Sequence, residues 1–150
     1  MRRSGTSDTV HKAKDLARDY NQTDSADSDE KERILNELLG GKGKNLWITA
    51  PFYVDYGNNI YFGNNCEVNM NCTFLDDNII RIGDNALIAP NVQIYTAFHP
   101  TNAIDRFGEP KKMAHSNFVK RKQLRSSLEI MYGLVAVLLF YRALRSEIML

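Results

Sequence analysis

Between residues 58 and 100 the chain repeats itself every six residues, and few folds accommodate that period. Ile82, Ile88 and Ile94 recur at intervals of six, and Tyr56, Phe62, Val68 and Phe74 carry the same step further back. Four places after members of this series stand Ile60, Cys66, Cys72, Ala86 and Val92, all small or apolar. A helix repeats at about 3.6 residues and a strand at about 2. A six-residue period with Gly, Asn and Asp between the apolar positions instead describes a solenoid, one short strand and one turn per unit. Three units close one coil of a triangular parallel β-helix, and the aliphatic residue of each stacks on its equivalent in the next coil. The step from Phe74 to Ile82 is eight, so two extra residues are expected to bulge outward at 76–78.

The flanking segments divide the chain into a helical cap over residues 9–41, the β-helix over 46–110 and a tail over 111–150. Val10, Ala13, Leu16, Ala17 and Tyr20 fall on one helical face. A second helix is predicted from Asp27, whose side chain caps it while Glu30 closes a capping box. Ile34, Leu35, Leu38 and Leu39 form its apolar stripe, and Gly40 and Gly41 end it. Trp47, Ile48, Phe52, Tyr53 and Val54 are expected in the core of the first strands. Two helices over one end of a solenoid would protect its first coil from edge pairing.

A net charge of +1 over 150 residues offers no global field for nucleic acid or membrane. The run 111–125 is basic, but it carries one aromatic, Phe118, and no pattern that would display it to RNA. The apolar stretch 131–141 is far short of the roughly 20 residues that span a bilayer. Cys66 and Cys72 occupy equivalent inward positions, which fits reduced thiols in a cytoplasmic protein better than a disulfide framework or a nucleophile. The three histidines and two cysteines lack metal-ligand spacing, so no metal is expected.

The segments AKDLARDYNQT, PFYVDYGNNIYFG, NMNCTFLDD and IGDNALIAPNVQIYTAFHP resemble the maltose/galactoside O-acetyltransferase branch of the hexapeptide-repeat acyltransferases. The resemblance covers roughly residues 10–110 and includes both the repeat and its interruptions. It implies a left-handed parallel β-helix, assembly as a homotrimer with active sites between subunits, and transfer of acetyl from acetyl-CoA to the hydroxyl of a sugar acceptor.

The family continues with further coils of the form PIxIGxNVWIGGxxxILPGVTIG, which bind coenzyme A. From Lys111 onward no hexad follows, and residues 124–150 are by composition helical or disordered. Permissible codons for MYGLVAVLLFYRALRSEIM, read one frame over, spell NVWIGGSSIILPGVTIGNN. The tail is therefore expected to be the out-of-frame remainder of those coils, and the chain to be impaired as an enzyme. The alternative is a non-catalytic fragment or interaction module.

Four residues are candidates for the chemistry. His99 precedes a proline at the end of a unit, and neutral imidazole suits proton removal from a hydroxyl near pH 7. A lone histidine is more often a surface or packing residue, and it is the resemblance that makes His99 the general base. The same resemblance places Asn69, Asp77 and Asp55 against the sugar. An amide and carboxylates can orient hydroxyls, although Asn69 could equally serve a turn and Asp77 a solvated bulge. Glu67 departs from the aromatic residue common at its position, His11 and His115 have no such context, and the acidic N-terminal extension of the family is not recognisable in residues 1–8.

Overall fold

The computed structural model describes residues 4–99, 101–102, 122–123, 128–130 and 133–135. Helices α1 (Ser4–Gln22) and α2 (Ser28–Leu38) precede a series of short strands. The first coil holds β1 (Gly41–Lys42), β2 (Leu46–Ile48) and β3 (Phe52–Val54); the second holds β4 (Ile60–Phe62), β5 (Cys66–Val68) and β6 (Cys72–Leu75). The third holds β7 (Ile80–Ile82), β8 (Ala86–Ile88) and β9 (Gln93–Tyr95). Equivalent strands pair in parallel, so β1-β4-β7, β2-β5-β8 and β3-β6-β9 form three faces. Together with the helical cap this is a left-handed parallel β-helix.

Partners in successive coils lie 20 residues apart, as Leu46↔Cys66 and Phe52↔Cys72 show. Three hexads account for 18, so each complete coil carries an extra pair. The pair falls at one corner twice: Val54 to Phe62 is a step of eight, and so is Phe74 to Ile82. Tyr56, which the six-residue count placed inside, therefore belongs to the first of these corners and is only half-buried.

In β3, β4, β5, β7 and β8 the two flanking residues face inward and the middle one outward, because side chains alternate across a strand; in β9 the same alternation turns the middle residue, Ile94, inward. Ile60, Val68, Cys72, Phe74, Ile80, Ala86 and Ile94 are all buried in the resulting column. Phe52 meets Phe74 edge-on at 5.2 Å, and Phe62 stacks on Phe74 at 6.3 Å. The same alternation corrects two expectations. Trp47 and Tyr53 are middle residues of β2 and β3 and stand 56% and 46% exposed, while Ile48, Phe52 and Val54 are buried as predicted. Both cysteines are buried and unpaired, and each thiol donates to a carbonyl of the next coil, Gly83 at 3.2 Å and Ala89 at 3.3 Å.

The remaining corners turn on asparagine. Asn45, Asn65, Asn71, Asn85 and Asn91 all adopt positive φ, between 55° and 62°. Asparagine tolerates this left-handed region better than other residues with a Cβ. Their amides also stack from coil to coil, Asn45 donating to Asn65 at 2.8 Å and Asn65 to Asn85 at 3.3 Å.

The helices cover the first coil with polar as well as apolar groups. Ala13, Ala17 and Tyr20 of α1 and Ile34, Leu35 and Leu38 of α2 are buried against it. The Tyr20 hydroxyl donates to the Ile48 carbonyl at 2.6 Å. The Asn21 amide accepts from Phe52 N–H at 2.8 Å and donates to Phe52 C=O at 3.0 Å, replacing the strand that β3 lacks on that side. Asp27 caps α2 by accepting from Glu30 N–H at 3.1 Å, but Glu30 turns its carboxylate to Arg33 rather than closing a box.

The tail departs from the helix or disorder expected of it where it is described. Strands β12 (Leu128–Ile130) and β13 (Gly133–Val135) pair in parallel with β7 and β8, beginning a fourth coil, and β11 (Lys122–Gln123) pairs antiparallel with β10 (Ala97–Phe98). The physical reason is the solenoid's own end: unpaired edges of β7 and β8 accept a strand-forming segment. Leu128 and Gly133, opposite Ile80 and Ala86, are five residues apart where the third coil has six. The rest of residues 111–150 lies outside the described residues.

Candidate functional site

The three-face geometry places residues at corners, and the corner with the extra pairs gathers most of the candidates. It contains the link from β3 to β4 in the first coil, the link from β6 to β7 in the second, and Thr96 in the third. Asp55 stands in the first link and Asp77 in the second, both half-buried. His99, also half-buried, follows β10 three residues beyond Thr96.

Asp76 binds this corner together. Its carboxylate is fully buried, contrary to the outward bulge expected for 76–78. Oδ1 accepts from the backbone N–H of Asp55 at 3.1 Å and of Tyr56 at 2.9 Å, and Oδ2 from that of Asn59 at 3.3 Å. Asn59 returns a bond from its amide to the Asp76 carbonyl at 2.6 Å. One coil further, the buried Thr96 hydroxyl accepts from Asn78 N–H at 2.8 Å and donates to Leu75 C=O at 2.9 Å. Burial pushes the Asp76 carboxyl up, and the N–H donors partly offset this by favouring its charged form. Two extra residues per coil leave backbone donors that no ladder can satisfy, and Asp76 satisfies them.

Asn69 is not part of this cluster. It follows β5 and precedes β6, whereas Asp77 follows β6, so the two flank opposite ends of one strand. Its Oδ1 accepts from Met70 N–H at 2.8 Å, which is the turn role weighed above. Within one chain, then, Asp55 and Asp77 share a corner, His99 follows its third-coil member Thr96 by three residues, and Asn69 stands on the next corner.

Beside Asp55 opens a cleft of about 440 Å³ between α1 and β3. Lys14 reaches across it, its Nζ 4.0 Å from Asp55 Oδ1. Lys14, Tyr53 and Asp76 are not among the site candidates of the sequence, which assigns Tyr53 to the core and Asp76 to a bulge. The first eight-residue step, from Val54 to Phe62, is the signal in the sequence for the doubled corner.

Residues 10–43 match the family described as the maltose acetyltransferase hexapeptide capping motif. The galactoside O-acetyltransferase of Escherichia coli K12 is 36% identical over 91 residues, which is 61% of this chain and 45% of that protein. The structure of a galactoside acetyltransferase in complex with coenzyme A superposes with a TM-score of 0.67 at 33% identity, covering 69% of this chain and 52% of the other. The maltose O-acetyltransferase from Clostridium difficile 630 gives 0.65 at 41% identity, over 67% and 54%. The likeness is to the maltose and galactoside branch of the hexapeptide-repeat acetyltransferases. This chain spans about half the length of the curated relatives it matches. The family match falls on the capping helices and β1.

Proposed function

We propose that the chain carries the acceptor side of a sugar O-acetyltransferase that uses acetyl-CoA. The observation that supports this reading is the corner that Asp55 and Asp77 share, pinned by Asp76 and Thr96, with His99 three residues beyond Thr96 in the chain. Asp55 and Asp77 accept hydrogen bonds from sugar hydroxyls and fix which one is presented. His99 takes the proton of that hydroxyl as its oxygen attacks, and returns it to the departing thiolate. Acetyl-CoA supplies the activated acetyl group. Direct transfer needs no nucleophile from the protein, which fits two cysteines buried at inward positions.

Asn69, one corner away, completes this arrangement only if a neighbouring subunit brings its own Asn69 to the site. A homotrimer in the cytoplasm therefore belongs to the same proposal, as does reduced turnover. The five-residue step from Leu128 to Gly133 puts the fourth coil out of phase with the third, which supports that last element.

The test is an assay of coenzyme A release with maltose and galactosides as acceptors, alongside light scattering. Slow transfer that His99→Ala abolishes in an unchanged assembly is the expected result. Transfer that survives His99→Ala would remove the base assignment. Strictly monomeric protein with full turnover would remove the trimer and the impairment together.

A further inference from the structure

The cleft between α1 and β3 extends from Asp55 over groups that the chemistry above does not use. Its floor is apolar, Ala17 and Val54, both buried. Tyr53 lines it from β3, Lys14, Arg18, Asn21 and Gln22 line it from α1, and Asp55 lines it just beyond β3. At about 440 Å³ it falls within the roughly 300–1,000 Å³ of small-molecule sites.

Its charges decide what it can hold. The Arg18 guanidinium is engaged by its own helix, donating to Asp15 at 2.8 Å and to Asp19 at 3.1 Å. Lys14 faces Asp55 at 4.0 Å. A carboxylate or phosphate ligand finds no unopposed cation along these walls. What the walls do offer is a flat aromatic face, donors from Lys14 and Gln22 and an acceptor from Asp55. That combination suits a neutral polyhydroxylated ring, its C–H face on Tyr53 and its hydroxyls toward the polar side chains.

Asp55 also connects the cleft to the corner described above: its side chain lines the cleft, and its backbone N–H is held by Asp76 beside Asp77. We propose that the cleft is a second saccharide subsite, so that the acceptor is a neutral disaccharide or longer, its reacting ring between Asp55 and Asp77 and the next ring against Tyr53. This rests on the acetyltransferase reading and adds the size and charge of the acceptor to it.

The experiment compares binding of glucose and of maltose to the full 150-residue chain by ligand-observed NMR and titration calorimetry. The variants are Tyr53→Ala and Tyr53→Phe. Tyr53 is an outward residue, so neither variant should disturb the fold, and far-ultraviolet circular dichroism checks this. The expected result is maltose binding about ten-fold tighter than glucose, a stacking-sized difference. Tyr53→Ala should abolish that preference with glucose binding unchanged, and Tyr53→Phe should keep it. A preference that survives Tyr53→Ala, equal affinity for the two sugars, or no binding of either would overturn the subsite. Equal acetyl transfer to both sugars would keep the acetyltransferase reading and sink the subsite; Tyr53-dependent maltose binding without any acetyl transfer would do the reverse.

Discussion

Replacing Asn21 tests whether α1 completes the first coil or merely lies on it. The Asn21 amide supplies one acceptor and one donor to Phe52, at 2.8 and 3.0 Å, as a neighbouring strand would. In Asn21→Ala both bonds disappear, each contributing about 1 kcal/mol net, and leaving a partly buried donor unsatisfied adds about 1 kcal/mol more. Alanine's better helix propensity returns about 0.7 kcal/mol. The expected destabilisation is therefore about 2 kcal/mol in urea unfolding at pH 7. Asn21→Asp separates the bonds from the packing. The carboxylate still accepts from Phe52 N–H, but its second oxygen now faces the Phe52 carbonyl, so the folded-state pKa is raised. Stability should then be near the wild-type value below the usual carboxylate range and fall as pH rises through the raised pKa. A loss below about 0.5 kcal/mol for Asn21→Ala, or Asn21→Asp equal to wild type at pH 7, would refute the strand-mimic argument.

Two further outcomes are expected. Burial pushes the Tyr20 hydroxyl up to about 12 from 10.0, so its contribution to stability is intact below pH 10 and is lost as pH rises to about 12. That loss is about 3 kcal/mol; Tyr20→Phe should remove this alkaline step while costing about 1–2 kcal/mol at neutral pH through the orphaned Ile48 carbonyl, as pH-dependent unfolding would show. Asp76→Ala should cost about 3 kcal/mol, since three backbone donors lose their acceptor. Asp76→Asn should cost less, because one oxygen can still serve Asp55 and Tyr56; equal losses in the two variants would refute the division between Oδ1 and Oδ2.

Much of this architecture was legible because six is a rare period. The inward positions of β4 to β9 follow from it directly, and the α2 cap followed from Asp27 three residues before Glu30. The misplacements share one cause. Counting forward in sixes from Tyr56 hid the first eight-residue step, so the corner at Asp55 looked like strand and Asp76 looked like surface. Nothing local marks a buried carboxylate. Its burial depends on donors from residues 17 to 21 positions earlier, which only the coil brings into reach. For the site, residue types and their context suggested four candidates. Which of them share a corner depended on the number of residues per coil.

The parallel pairing of β12 and β13 has a consequence for how such a chain acquires structure. Each finished coil presents the same edges as the one before, so folding can advance one rung at a time from the capped end. Growth of that kind is indifferent to the ancestry of the next segment and asks only that it alternate and not break. LEI and GLV meet that condition in the face of β7 and β8. Amide-exchange protection should accordingly decline in steps of a coil, highest beneath α1 and lowest at the fourth rung. A repeat protein built this way can exchange its far end for foreign sequence and still keep the rungs already laid.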